Sequence, residues 1–396
     1  MKITIVGGGF GGVKTALELA KNPHNRITLI TDKPDFQYYP ALYGTATGMS
    51  HLQSWVPLGT IFAGKLNVDV MIDKIKTLNP ANKTLVSEIG NVYEYEHLVL
   101  ALGSVTTYFG IDGLDDYSFG IKSEEEIKKL KHHLYKEIAE EREIDKRYIV
   151  IGGGPTGVEL ASALGLYIER LRVRHRLPKQ KIGVTLIEAA PRLLPRMHPS
   201  ISRKVLTRLH KLGVSVQLDK KVESATIDGL TVSGRSLTTE TIIWTSGVAN
   251  NPFFAANADH FEFSKNGKVV LNDYLRTKDG IYVIGDNAFT PYSGLAQTAL
   301  HDAQFVSKNF ARRQKNKSLK KYKPIRPPVV VPVGENWAVF EWHWIRFSGW
   351  PASLIRKAAD FIGYRDILPI GHALGAWHAQ TVVEEDYFTP TPPSKR

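Results

Sequence analysis

Cysteine is absent from all 396 residues. That gap removes disulfide bonds, thiolate catalysis, zinc ribbons and cysteine-held iron–sulfur clusters, all of which need sulfur the chain does not have. No metal site is expected. Long apolar runs are missing as well: no window approaches the roughly 18 to 20 uninterrupted apolar residues of a spanning helix. The opening Met1-Lys2-Ile3-Thr4-Ile5-Val6 lacks the charged start, apolar stretch and small-residue cleavage site of a secretory signal, so a cytoplasmic location is expected. Acidic residues are in deficit, with 39 Asp and Glu against 51 Lys and Arg and a net charge of +12. Such a balance favours an anionic partner, whether nucleotide, nucleic acid or acidic lipid surface, and its sign alone does not choose among them.

Glycine, by contrast, is placed with purpose. A strand-like Ile3 to Val6 runs into Gly7-Gly8-Gly9-Phe10-Gly11-Gly12, then an apolar-periodic helix, then a second strand, Ile27 to Ile30. This is a βαβ opening with the G-x-G-x-x-G spacing of a dinucleotide site. Gly7 permits the tight turn, Gly9 lets the backbone approach a pyrophosphate, and Gly12 lets helix and strand pack closely. The diphosphate is expected on the helix N-terminus, with Thr31 or Asp32, at the end of the second strand, meeting the ribose. The same order returns at Tyr148 to Ile151, Gly152-Gly153-Gly154-Pro155-Thr156-Gly157, a helix to about Arg176, and the strand Val184 to Ile187 ending in Glu188.

Two further segments point to a flavin in the first unit. Tyr95 to Gly103 is an apolar strand closing in the small-residue turn Ala101-Leu102-Gly103, and Ile281 to Ile284 is an apolar strand closing in Gly285-Asp286. A carboxylate at that strand end can accept hydrogen bonds from a ribityl chain. In the second unit Glu188 can accept from both ribose hydroxyls and would repel a 2′-phosphate, which favours NADH over NADPH; Arg192, four residues on, weakens that preference. Thr245-Ser246-Gly247 is the second unit's counterpart of the Leu102-Gly103 turn. Glu159, two residues beyond Gly157, either complements the helix dipole or places its carboxylate by the nicotinamide and flavin edge.

The fold class expected is α/β: two doubly wound Rossmann-like units, an FAD unit at 1–112 and 271–320 interrupted by an NADH unit at 113–270. An amphipathic region, 321–396, follows. Five of the seven tryptophans stand there, and Arg346, Arg356, Lys357 and Arg365 alternate with Leu354, Ile355, Ala358, Phe361 and Ile362. A basic amphipathic helix with aromatic edges suits contact with an anionic membrane surface; a tail folded onto the flavin unit, or a homodimer interface, is the alternative. Glu384-Glu385-Asp386 and 389–393 are expected to be exposed and mobile. Lys128, Lys129, Lys131, His132 and His133, on a helix between the units, read as a solvated face, and 269–284 as strand.

The order of these motifs, including Glu188-Ala189-Ala190-Pro191 and Ala296-Gln297-Thr298-Ala299, resembles the two-dinucleotide-binding-domain flavoproteins over roughly 1–315. Within them it resembles the type II NADH:quinone oxidoreductases, single-chain non-pumping enzymes held on the membrane surface. Relatives that work through redox cysteines are excluded. The resemblance implies hydride transfer from NADH to FAD and delivery to a quinone at the cytoplasmic face of the membrane, with no nucleic acid involved. It matches Glu159 to the family's glutamate between nicotinamide and quinone sites, and Ala296-Gln297-Thr298-Ala299-Leu300-His301 to the start of an A-Q-x-A-x-Q motif in which His301 replaces the second glutamine. Gln297 and His301 are then the candidate donors to a quinone, and the helix start at Ala299 faces the flavin pyrimidine. A soluble reductase of ferredoxin or rubredoxin, and a non-catalytic NAD–flavin redox sensor, are the rival readings.

Overall fold

Apolar runs such as Ile3-Thr4-Ile5-Val6 and Tyr148-Ile149-Val150-Ile151 lack the alternation of a half-exposed strand, because both faces are covered. In the computed structural model, which describes residues 1–145 and 147–384, each becomes the central strand of a parallel sheet. The first sheet runs Tyr282–Val283, His97–Leu100, Lys2–Val6, Arg26–Thr31, Val68–Ile72, all parallel. The second runs Val214–Gln217, Val184–Ile187, Tyr148–Ile151, Thr241–Trp244, again all parallel. The chain leaves the first sheet at Leu100, builds the second, and re-enters the first at Tyr282 beside the strand it left. Ser104–Thr106 pairs antiparallel with Val248–Asn250 and ties the two crossings together. The fold is mixed α/β with two Rossmann-like cores.

Helix Phe10–Ala20 covers the first sheet together with Ala296–Gln314, and Pro155–Arg174 covers the second. Only Tyr282–Val283 of the segment read as strand is regular. Asn272, Asp273 and the Asp279-Gly280 pair turn the rest, and Leu275 takes a left-handed φ of 59°. Lys131 departs from the solvated-face reading. It is 1% exposed, lies 5.9 Å from the Tyr167 ring centre, and donates to the Glu384 carbonyl at 3.0 Å. His133 is half-buried too, stacked on Phe119 with Nε2 2.9 Å from Thr241 Oγ1.

The tail is more than an amphipathic helix. Val329–Pro332, Ala338–Trp342 and Ile345–Gly349 form an antiparallel sheet, followed by helices Trp350–Arg365 and Ile370–Ala379. Val331, Val333 and Val339 join the core of the second unit, whereas Tyr364, Ile367, Leu368, Ala373 and Ala376 join that of the first. The C-terminal region therefore packs on both units, and burying several large side chains at about 1.5 to 3 kcal/mol each makes it part of the fold. Several large apolar side chains of this region remain open: Trp344 is 82% exposed, Trp350 68%, Ile362 59% and Ile370 57%. Among the described residues no helix is long and apolar enough to cross a membrane. Glu385, Asp386 and 389–393 lie outside the described residues.

Candidate active site

Both glycine turns are built the same way. Gly7 and Gly152 take φ of 115° and 117°, and a Cβ at Gly12 or Gly157 would strike the carbonyl of Gly7 or Gly152. A Cβ at Gly9 or Gly154 would meet nothing within 4 Å. The helices that start there have no side-chain cap and no acidic residue in the first turn, unlike Glu124–Tyr135 with its complete capping box at Ser123. Free amides facing open space fit a phosphate. Phe10 and Gly11 are buried behind the first turn, and Thr156 is exposed at the second.

Strand register sets Thr31 and Asp32 apart. Gly7 N donates to Ile30 O, and Gly152 N to Ile187 O, both at 2.8 Å. Thr31 is therefore the counterpart of Glu188, and Asp32, one step on, is exposed. The Glu188 carboxylate accepts from the Gly153 amide and, at 2.6 Å, from Ala190 N. Arg192 is tied to its own loop: its guanidinium donates to Met197 O at 2.6 Å, Ser202 Oγ at 3.1 Å and the Pro195 carbonyl. Ser246 stands against Gly152, and Gly247 lies under the Phe109 ring.

Asp286 and the Leu102-Gly103 turn are joined by Asn287, which sequence reasoning passed over. Its Oδ1 accepts from Gly103 N at 2.8 Å, while its Nδ2 donates to Gly103 O and Asn250 Oδ1, both at 2.7 Å. Asp286 Oδ2 accepts from Ser104 Oγ at 2.8 Å, and Lys122 Nζ donates to that hydroxyl at 3.1 Å. Asp302, fully buried, accepts from Gly285 N at 3.0 Å and Tyr322 OH at 2.6 Å; burial pushes its carboxyl up to about 6. An acid on an otherwise Ala-lined helix face, beside Ala299 and Ala303, was its available signal. Ala299 packs under Gly285, and its helix begins uncapped at Leu295. Gln297 is exposed there. His301 Nε2 lies 2.9 Å from Lys323 O and its ring packs near Tyr322, so the linker takes one of its two ring nitrogens.

Glu159 is buried five residues into its helix, and its partner comes from the tail. Arg356 Nη1 donates to Glu159 Oε1 at 3.1 Å, Nε to Asp360 Oδ2 at 2.8 Å and Nη2 to Pro40 O at 2.7 Å. Arg356, expected on a basic membrane-facing surface, is turned inward with 12% of its side chain exposed. Tyr38 OH donates to Asp360 Oδ1 at 3.1 Å, stacks on Tyr364 at 4.1 Å and sits 5.6 Å from the Phe10 ring. A continuous line of contacts thus runs from the first glycine turn through the tail to the second. Desolvation pushes the Glu159 carboxyl up to about 7 against the opposing pull of Arg356. Glu159 can therefore exchange a proton near neutral pH. Among the described residues no group of histidine and acidic side chains could hold a metal ion.

Residues 1–303 match the family model of the pyridine nucleotide-disulphide oxidoreductases. The type II NADH:quinone oxidoreductase Ndh of Mycobacterium tuberculosis is 30% identical over 331 residues, covering 77% of this chain and 71% of that one. The chain belongs to the type II NADH:quinone oxidoreductases. A second member from that organism, NdhA, is 28% identical over 408 aligned positions, with 95% of this chain and 86% of the relative covered. NDH2 from Plasmodium falciparum, solved in complex with NADH, shares the fold at a TM-score of 0.83 and 18% identity, spanning 98% of this chain and 99% of its own. For a type II NADH:quinone oxidoreductase the tail is thus part of the shared architecture. Neither the soluble ferredoxin reductase nor the non-catalytic sensor is needed to account for it.

Proposed function

We propose that this protein oxidises NADH and reduces a quinone at a membrane surface, using bound FAD. When bound, FAD supplies the two-electron chemistry, accepting a hydride equivalent from NADH and returning electrons to the quinone. Gly7, Gly9, Phe10, Gly11 and Gly12 seat its diphosphate, Thr31 or Asp32 its ribose, and Leu102, Gly103, Asp286 and Ala299 the remainder. NADH is held by Gly152, Gly154, Thr156 and Gly157, with Glu188 on the ribose and Ser246 and Gly247 at the adjoining turn. Positioning these ligands in a dry site accounts for most of the first step.

Reduction of a quinone by NADH consumes one further proton, and Glu159 supplies it. Its carboxyl is half-protonated near pH 7, and Arg356 and Asp360 hold it in place. Gln297 donates a hydrogen bond to a quinone carbonyl. The observation that carries this reading is the buried Glu159–Arg356–Asp360 trio, linked through Tyr38 to Phe10. The apolar face around Trp344, Trp350, Ile362 and Ile370 lies on the cytoplasmic leaflet, where a lipid-soluble acceptor is found; a homodimer over the same face is the competing occupant. Glu159→Gln should leave flavin bleaching by NADH within a few-fold in stopped flow, while quinone turnover falls by roughly ten-fold or more. Equal slowing of both steps would make Glu159 a nicotinamide-positioning residue.

A further inference from the structure

A groove of about 450 Å³ lies between helix Pro199–Lys211 and the C-terminal sheet. Arg203, Lys204, Arg208 and Lys211 line it and no carboxylate does. Their spacing puts them along one side of the helix, while Ile201, Val205 and Leu209 are buried in the core of the second unit. None of the four forms an ion pair among the described residues. Arg208 is held in place, with its guanidinium 5.6 Å from the Trp337 ring centre and Nε donating to Val333 O at 3.3 Å. Ser200 and Thr207 also line it, the Ser200 hydroxyl 2.8 Å from His198 Nδ1 and the Thr207 hydroxyl donating to Arg203 O at 3.0 Å. Four cations without a carboxylate partner, one of them fixed against an aromatic ring, suit a phosphodiester.

The neighbourhood identifies which phosphodiester. Ser348 lines the groove, and two residues later the chain reaches Trp350, 68% exposed, from which the open apolar face continues through Leu354 and Ile362. The groove therefore adjoins the surface assigned above to the membrane, where tryptophan and headgroup phosphates share one level. The dinucleotide phosphates already have their places at the two glycine turns. We infer that this groove binds the headgroup of an anionic phospholipid and sets the orientation of the protein on the bilayer. The inference rests on the membrane-surface reading and adds a defined site to it.

The test is co-sedimentation of the flavin-loaded, full-length protein at low salt with vesicles of phosphatidylcholine, with and without phosphatidylglycerol. Arg203→Gln/Lys204→Gln/Lys211→Gln should weaken partition onto phosphatidylglycerol vesicles by roughly a hundred-fold, each lost cation contributing about five-fold. A variant of equal net charge at exposed positions elsewhere, Lys65→Gln/Lys76→Gln/Lys265→Gln, should lose far less, and both should keep NADH oxidation with a water-soluble short-chain quinone. If the triple variant does not fold, Thr207→Glu, exposed on the same side, carries the same expectation. Equal loss in groove and control variants overturns the site in favour of net charge alone. Wild-type binding to both vesicle types, undiminished in the groove variant, overturns the site and leaves the membrane reading standing; no binding to either overturns both. In a thermal-shift arm at matched ionic strength, short-chain phosphatidylglycerol should stabilise the wild type more than inorganic phosphate does. Equal stabilisation would make this a free-anion site and refute the lipid.

Discussion

Arg356→Gln is the perturbation from which the site has most to lose. The guanidinium makes three directional contacts, 3.1 Å to Glu159, 2.8 Å to Asp360 and 2.7 Å to the Pro40 carbonyl. Removing one partner from such a buried group costs about 3 to 5 kcal/mol, so a lowered but measurable thermal midpoint is expected. The pH response separates this from simple destabilisation. Glu159 already stands at about 7 because desolvation outweighs the pull of Arg356. Without that cation its carboxyl should rise further. If protonated Glu159 is the donor, wild-type quinone turnover declines as pH rises through about 7, and in Arg356→Gln that decline moves to higher pH. Arg356→Lys keeps the charge and should leave the decline near its wild-type position. Stability follows the same linkage. The folded carboxyl keeps its proton up to about 7 while the unfolded one releases it near 4.5, so this group's favourable contribution is complete below pH 4.5 and is lost between 4.5 and 7. The Arg356→Gln deficit should accordingly be smaller at pH 5 than at pH 8. A folded, flavin-loaded variant with an unmoved pH profile would refute the coupling between Arg356 and Glu159.

Two further outcomes follow from the geometry. Glu188→Ala should erode discrimination against NADPH, read as the ratio of kcat/KM for the two nicotinamides, because it removes the anion that repels a 2′-phosphate while Arg192 stays bound to its own loop; an unchanged ratio would place the preference elsewhere. Truncation after Leu319 should yield a chain that loses its flavin or fails to fold, since the missing residues pack into both cores; a stable yellow truncated protein would contradict this.

The two sheets and their turns were legible because their signals are local. Strand, glycine spacing, helix and acidic strand end fall within some thirty to forty residues each, and sterics leave glycine few substitutes at positions such as Gly12 and Gly157. The buried Glu159–Arg356–Asp360 trio was half legible. Glu159 follows its glycine turn, but Arg356 lies 197 residues away, and a cation among apolar residues reads as a membrane-facing one until the helix orientation is known. Asp360 was the available clue, an acid one helical turn from Arg356. Thr31 against Asp32 needed strand register, which a sequence leaves uncertain by one residue. Lys131 was hidden because its receiving carbonyl, Glu384, is supplied by the far end of the chain. The small sheet of the tail escaped because its tryptophans suggested a lipid surface before they suggested strands.

The most direct measurement of the central claim follows both halves of the reaction in one anaerobic experiment. The purified protein, carrying FAD, is reduced with one equivalent of NADH and then mixed with either a short-chain quinone or a small iron–sulfur protein, while flavin absorbance is recorded. Bleaching by NADH and prompt return of the oxidised spectrum with quinone are expected, with little return on the same timescale with the iron–sulfur protein. Bleaching that only the iron–sulfur protein reverses would contradict it.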